Sequence, residues 1–303
     1  MDQTAPLHAR ASRLLHRTLP PFWAGLVIFT AKQLWAGLFA LIILSAILIT
    51  RAIWSPDWAL QRYDALFLIA ITTQVVLIAT RLETWDEARV ILLFHFTGTA
   101  MEWFKVNAGS WGYPEPGIFK AFDVPLFTGF MYASVGSYIA RAIRLFDARF
   151  APYPPYWASV LLAVAIYGNF FAHHYFPDIR LGLFVASLLL FLRSRMWFRV
   201  GGAWHWMPFP AAALLIAAAL WVAENIGTFT GTWLYAGQDS FELVRLSKLG
   251  SWYLLFFVSF TTVTLVLRDA LSATPFRPEA DAASRSVRAS APEAQAPRQA
   301  PEG

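Results

Sequence analysis

Eight mostly apolar segments follow one another along this chain with only short polar breaks between them, and that succession limits its fold more than any other feature. They run roughly over Lys32–Thr50, Asp64–Thr80, Arg89–Lys105, Val124–Ile143, Tyr156–His173, Ile179–Trp197, Met207–Thr230 and Lys248–Leu267. A helix crosses the hydrocarbon core of a bilayer with ~20 such residues, and inside that core every backbone polar group must be bonded within the spanning structure. The expected fold is therefore all-α: a polytopic membrane helix bundle of about eight transmembrane helices over residues 22–271. Composition agrees, with 57% hydrophobic and only 14% charged residues, where soluble domains carry ~25% charged. The stretch Phe22–Thr30 is too short to span alone and is expected to lie at the interface or extend the first helix. The N-terminus lacks the pattern of a cleavable signal peptide.

Charge sets the expected orientation. The net charge is +5, but the basic residues stand in short loops and tails, with no basic helix or zinc-finger spacing, so nucleic acid is not an expected partner. Clusters such as Arg10/Arg13/Arg17, Arg141/Arg144/Arg149 and Arg193/Arg195/Arg199 fall on one side of the eight-span scheme, and scattered residues such as Arg51, Arg62 and Lys120 on the other. By the positive-inside rule both termini are expected in the cytoplasm. Residues 1–21 read as a basic segment resting on an anionic inner leaflet. Residues 272–303, rich in Ala, Pro, Ser, Arg and Glu, read as a disordered cytoplasmic tail. With no cysteine, disulfides and thiolate chemistry are excluded.

Within this apolar background one pattern occurs twice. Glu102 is followed after six residues by Gly109-Ser110-Trp111-Gly112-Tyr113, and Glu224 after six residues by Gly231-Thr232-Trp233-Leu234-Tyr235. Pro56-Asp57 and Pro177-Asp178, and Gly129/Tyr132 and Gly250/Tyr253, echo at nearly the same offset. Two parallel four-helix repeats, about 22–150 and 151–271, are the expected organisation, related by a pseudo-two-fold axis along the membrane normal.

A carboxylate deep in a membrane helix is unfavourable by ~2–3 kcal/mol and marks a functional site by default. Glu102 and Glu224 are thus the candidate acid–base pair, expected inside the bundle and facing each other across the repeat axis. Gly109 and Gly231 are expected to stop the helices. Trp111, Tyr113, Trp233 and Tyr235 are either interfacial anchors or an aromatic wall for a ligand, with Asn107 and Asn225 near enough in sequence to orient the acids. His95 lies two turns before Glu102 on the same face, a candidate third titrating group or a packed core histidine. His173 and His174 end the fifth segment, but adjacent residues diverge too far to share a metal easily, and no metal or cofactor is expected. Asp-rich diphosphate motifs, His-Glu-x-x-His, a phosphate-binding Gly loop and a nucleophile elbow are all missing.

The run HFTGTAMEWFKVNAGSWGYPEPGIFKAFDVPLFTGFMYASVGSYI from His95 to Ile139, with YGNFFAHHYFPD from Tyr167 to Asp178, resembles the bacterial membrane family of domain of unknown function 817. That resemblance implies a multi-pass protein of the bacterial inner membrane. Glu102, Gly109, Trp111, Tyr113 and Pro125 are also distantly similar to a pattern in membrane carotenoid hydratases and cyclases. This second likeness implies protonation of an alkene by a carboxylic acid, with aromatic faces steadying the cation. Three functions remain open on the residues alone. They are an acid–base enzyme on an apolar isoprenoid or lipid, a proton- or cation-coupled transporter with its site at the repeat interface, and a structural membrane protein.

Overall fold

The computed structural model describes residues 17–237 and 242–279. Nine α-helices make up most of it: α1 Pro21–Ala36, α2 Leu38–Ile53, α3 Arg62–Ala79, α4 Trp85–Asn107, α5 Phe127–Leu145, α6 Tyr156–Ala172, α7 Arg180–Phe191, α8 Phe209–Phe229 and α9 Ser247–Val266. Each of the eight expected segments coincides with a helix over its central residues, α2 to α9 in order. Helices α3, α8 and α9 are long and apolar enough to cross a membrane, and α1 with α2 makes a fourth candidate if the bent pair counts as one span. Helices α6 and α7 are apolar but shorter. Helices α4 and α5 have the length but carry charges, including Glu87, Glu102 and Lys105 on α4 and Arg141 and Arg144 on α5.

The first apolar stretch does more than extend one helix. Residues 21–36 form their own helix, begun by Pro21 at a first-turn position that needs no N–H, and α1 meets α2 at Gly37 with a bend of 71°. The Trp35 carbonyl beside the break accepts from Arg141 Nη1 at 3.2 Å. Such a break is found where a glycine sits and a side chain bonds a backbone group there.

Two expectations need correction. The sixth segment does not stay helical to Trp197: α7 ends at Phe191, and the chain turns into a hairpin of Arg195–Val200 and Ala203–Pro208. Its turn is Gly201-Gly202, both at positive φ, which only glycine adopts readily. With Arg149–Ala151 this hairpin makes a three-stranded antiparallel sheet, so the fold is not purely α. The start of the expected tail is seated there: Ser272 N donates to Phe150 O at 3.0 Å, and the Phe276 ring packs on Trp197 and Trp204. The basic segment at 1–16 and the tail at 280–303 lie outside the described residues.

Arg141 and Arg144 are not loop residues but lie on α5 in ion pairs. Arg141 is fully buried and bonds Glu83 Oε1 at 2.9 Å, while Arg144 bonds Glu87 Oε1 at 3.0 Å. Glu83 also accepts from Ser137 at 2.7 Å and from Gln74. This cluster binds the α3–α4 turn to α5 at the end of the bundle away from the two Glu-Gly-Trp-Tyr motifs. Elsewhere the core is aromatic, with Phe150, Phe191, Phe209, Phe257 and Phe260 in mutual contact. Many large apolar side chains point outward, among them Phe96, Leu161, Leu181 and Leu189, as on a surface made for lipid.

Candidate functional site

The two motif copies fold the same way and then join. Helix α4 ends with Gly109 at φ +68 and α8 with Gly231 at φ +64. In each, the residue after the glycine donates back across the last turn, Ser110 N to Lys105 O and Thr232 N to Gly227 O, both at 2.9 Å. That is a Schellman stop, which satisfies terminal carbonyls and reverses the chain. The chains leaving these stops form a short antiparallel ladder, Trp111 opposite Tyr235 and Gly112 opposite Leu234. Gly112 and Leu234 are equivalent positions of the two copies, so the ladder is locally two-fold about that pair.

Each acid lies beneath its own arm of the ladder and is buried. Glu102 Oε2 accepts from Trp111 Nε1 at 2.9 Å and Tyr113 Oη at 2.8 Å, and Oε1 accepts from Tyr132 Oη at 2.7 Å. Glu224 Oε2 accepts from Trp252 Nε1 at 2.6 Å, and Oε1 accepts from Tyr235 Oη. Burial and then the adjacent Glu102 carboxylate hold the Tyr113 phenol well above its usual value. Burial, Glu224 and, further off, Glu102 do the same to Tyr235. Both phenols are therefore donors at any physiological pH. The acids have separate sets of aromatic donors, and no hydrogen bond joins one carboxylate to the other.

Ahead of the ladder, Arg62-Tyr63-Asp64 at the start of α3 bind both copies. Arg62 pairs with Glu115 at 2.7 Å and reaches Thr232 Oγ1 at 3.2 Å. Tyr63 Oη donates to Thr232 O at 2.7 Å, and Asp64 accepts from the backbone N–H groups of Ile118 and Phe119. None of these three stood out in the sequence, since their partners lie more than fifty residues away.

Both acids open onto one cavity of about 780 Å³, within the ~300–1,000 Å³ usual for small-molecule sites. It runs between α1, α2, α5, α8 and α9, from Ser110 and Lys248 at the ladder to Phe146, Phe198 and Met207 by the hairpin. Its wall is mostly apolar, with Leu41, Ile47, Met131, Leu215 and Leu255 along its length. Polar groups gather at the ladder end, where Glu102, Glu224, Lys105, His173, Arg180 and Lys248 meet it.

The structure thus brings together Glu102, Glu224, Trp111, Tyr113, Trp233 and Tyr235, all of which line the cavity. It does not bring the other three candidates to it. His95 packs edge-on against Phe130 at 4.4 Å, away from the cavity wall. Asn107 is exposed and donates to Trp103 O, so it orients no acid. Asn225 donates to Trp221 O and accepts from Val244 N at 2.9 Å, tying down the segment after the second motif instead of Glu224. Tyr132 and Trp252, which supply donors to the acids, were not predicted; they come from the following helices, and no local spacing announces them. Among the described residues no cluster of three His, Asp or Glu side chains is placed to hold a metal.

An apolar helix bundle with outward apolar side chains and two buried acids on a mostly apolar cavity is a helical membrane protein. The chain belongs to the family described as protein of unknown function DUF817, whose model matches residues 25–260. It is 42% identical over 257 residues to YoaT of Bacillus subtilis, described as uncharacterized; the match covers 84% of this chain and 96% of that protein. Among solved structures, the Insig homologue MvINS of Mycobacterium vanbaalenii aligns with 13% identity and a TM-score of 0.45, over 61% of this chain and 95% of its own. A cross-linked trimer of MvINS aligns with 14% identity and the same TM-score. The likeness to carotenoid hydratases and cyclases finds no support among these matches.

Proposed function

We propose that this protein is an acid–base enzyme of the bacterial inner membrane, acting on an apolar substrate of the isoprenoid or lipid type. The observation that carries this reading is that Glu102 and Glu224 open onto a single, mostly apolar cavity. A substrate chain fits along the apolar wall with its reacting carbon atoms at the ladder end. There a protonated Glu102 gives its proton to a carbon–carbon double bond, and the Trp111 and Trp233 faces steady the resulting cation. Glu224 then takes a proton, either from the carbon next to the cation or from a water that has added to it, so that no net charge is left on the substrate. Glu102→Gln keeps the shape and one acceptor oxygen but holds no acid proton. Lipid extracts of wild-type, deletion and Glu102→Gln strains, compared by mass spectrometry, are expected to show one apolar species altered alike in the deletion and the variant. Three identical profiles would overturn the reading.

A proton- or cation-coupled transporter would use the same acids. The two-fold pairing of Gly112 with Leu234 favours it, since that sets the acids about a repeat axis. Its signature is pH-dependent flux in reconstituted vesicles that Glu102→Gln abolishes. Under either reading the eight helices α2 to α9 all cross the membrane as two parallel repeats, both termini are cytoplasmic, and the ladder faces outward. The chain has no cysteine, so single cysteines placed at Ser110 and Gly202 report this directly. An impermeant thiol reagent should label the first in intact spheroplasts and the second only after lysis.

A further inference from the structure

Two buried or half-buried lysines at the ladder end of the cavity make no direct ion pair among the described residues. Lys105 follows Glu102 by one helical turn, yet its Nζ goes to His174 Nε2 at 2.9 Å and lies 4.2 Å from the centre of the Phe170 ring. Lys248 stands 3.8 Å over the Tyr235 ring. Among the described residues neither lysine has a carboxylate within ion-pair distance. Arg180, the third cation on this wall, pairs with Asp178 at 3.2 Å. The three lie close enough to act on one another electrostatically. Glu224 and Asp178 act on Lys248 and Lys105 only from beyond ion-pair distance, and the oxygens of Glu102 and Glu224 bond Trp and Tyr donors in place of the lysines. Two lysines without an ion pair, beside an arginine that has one, make the polar end of a mostly apolar cavity a favourable place for an added anion.

We propose that this end of the cavity binds the anionic head, a phosphate or a carboxylate, of a single-chain amphipathic lipid, with Lys105, Lys248 and Arg180 as its partners and the chain lying along the apolar wall toward Phe146 and Met207. The inference rests on the reading of this cavity as the substrate site, and narrows it from an apolar substrate to an anionic amphiphile. Charged donors on an anion make the stronger class of hydrogen bond, and the remaining length of the cavity has no use for a free inorganic anion.

Binding of hexadecyl phosphate, hexadecanol and inorganic phosphate to the purified protein in mild detergent, followed by tryptophan fluorescence, separates the possibilities. Hexadecyl phosphate should bind about tenfold or more tightly than hexadecanol, the return expected of one or two charge-assisted hydrogen bonds, and inorganic phosphate should not compete with it at equal concentration. Lys248→Gln and Lys105→Gln should each bring the two chain probes within about threefold. Lys105→Arg should restore the preference and so separate lost charge from a lost fold. Equal affinity for the phosphate and the alcohol in the wild-type protein would overturn the anionic head and leave the apolar cavity standing. Binding of inorganic phosphate as tight as that of the alkyl phosphate would overturn the lipid and leave a free-anion site. Failure of all three probes to bind would sink the cavity reading and this inference together.

Discussion

The two acid sites use the same chemistry from different sources, and unmatched positions of the two copies account for it. Each acid accepts from an indole and a phenol. Around Glu102 both come from its own motif, Trp111 and Tyr113, and Tyr132 adds a third donor from α5. Around Glu224 the phenol comes from its own motif but the indole is Trp252 of α9. The motif's own Trp233 lies over Gly227 instead, so close that a Cβ there would sit 1.8 Å from its ring. The residue equivalent to Gly227 in the first copy is Lys105. That lysine runs to His174 and Phe170, and Trp111 is turned to its acid. Duplicated sequence thus specifies the backbone of both sites, while the unmatched pairs Lys105/Gly227 and Met131/Trp252 go with the different tryptophan at each acid.

That contrast can be broken. The largest effect is expected from Gly227→Ala, which drives a methyl group into the Trp233 ring and should destabilise the protein by about 3 kcal/mol, the upper end of overpacking. Gly168→Ala, a helical glycine with nothing within 4 Å, serves as the control and should leave thermal stability in detergent equal or raised. If the two variants melt together, Trp233 is not held where the contrast needs it. Next is removal of the acids. Glu102→Ala strands three donors and Glu224→Ala two, so the first should lose more, by about 1–3 kcal/mol for the extra unpaired group. A reversed order in the same melting experiment would mean that Tyr132 finds another partner. Tyr132→Phe deletes one donor while keeping the ring, and about 1–2 kcal/mol is expected; Trp252→Phe deletes a donor and also shrinks the ring, so about 1–2 kcal/mol is its lower bound. An effect confined to Trp252→Phe would show that the indole in the second site is irreplaceable and the extra phenol in the first is not.

The smallest effect is one of pH. Burial, then the charges of Lys105 and His173, hold His174 below its ordinary value of 6.5, so it stays neutral and accepts from Lys105. The unfolded chain binds this proton before the folded one does, and stability therefore falls as pH drops below 6.5 and levels off once the folded histidine is itself protonated. Melting temperature between pH 8 and pH 5 should fall by a small amount in the wild type and by less in His174→Asn (on the order of a few degrees or under, for one partly exposed group). A slope unchanged by His174→Asn would detach Lys105 from this partner.

The helices were legible because a run of apolar residues carries its own answer: α2 to α9 each lie within or across an expected segment. The repeated Glu-Gly-Trp-Tyr spacing was legible too, since helix, glycine stop and ladder are all local consequences of it. What escaped were relations between distant residues. Arg141 and Arg144 looked like loop charges until Glu83 and Glu87 were found beside them. Asn107 and Asn225, close to the acids in sequence, point to the backbone of the turn before. Tyr132 and Trp252, thirty and twenty-eight residues from their acids, had no pattern to betray them. The Gly201-Gly202 hairpin did carry a signal, a glycine pair between runs of aromatic and β-branched residues, masked by the apolar tract in front of it.

The ladder joining Trp111–Gly112 to Leu234–Tyr235 also fixes where the chain has no latitude in length. Its register is set from both sides by helices that stop at Gly109 and Gly231. One residue inserted between Glu102 and Tyr113, or between Glu224 and Tyr235, turns every later side chain to the opposite face and takes the phenol away from its acid. The two twelve-residue stretches 102–113 and 224–235 should therefore keep a constant length among relatives of this protein.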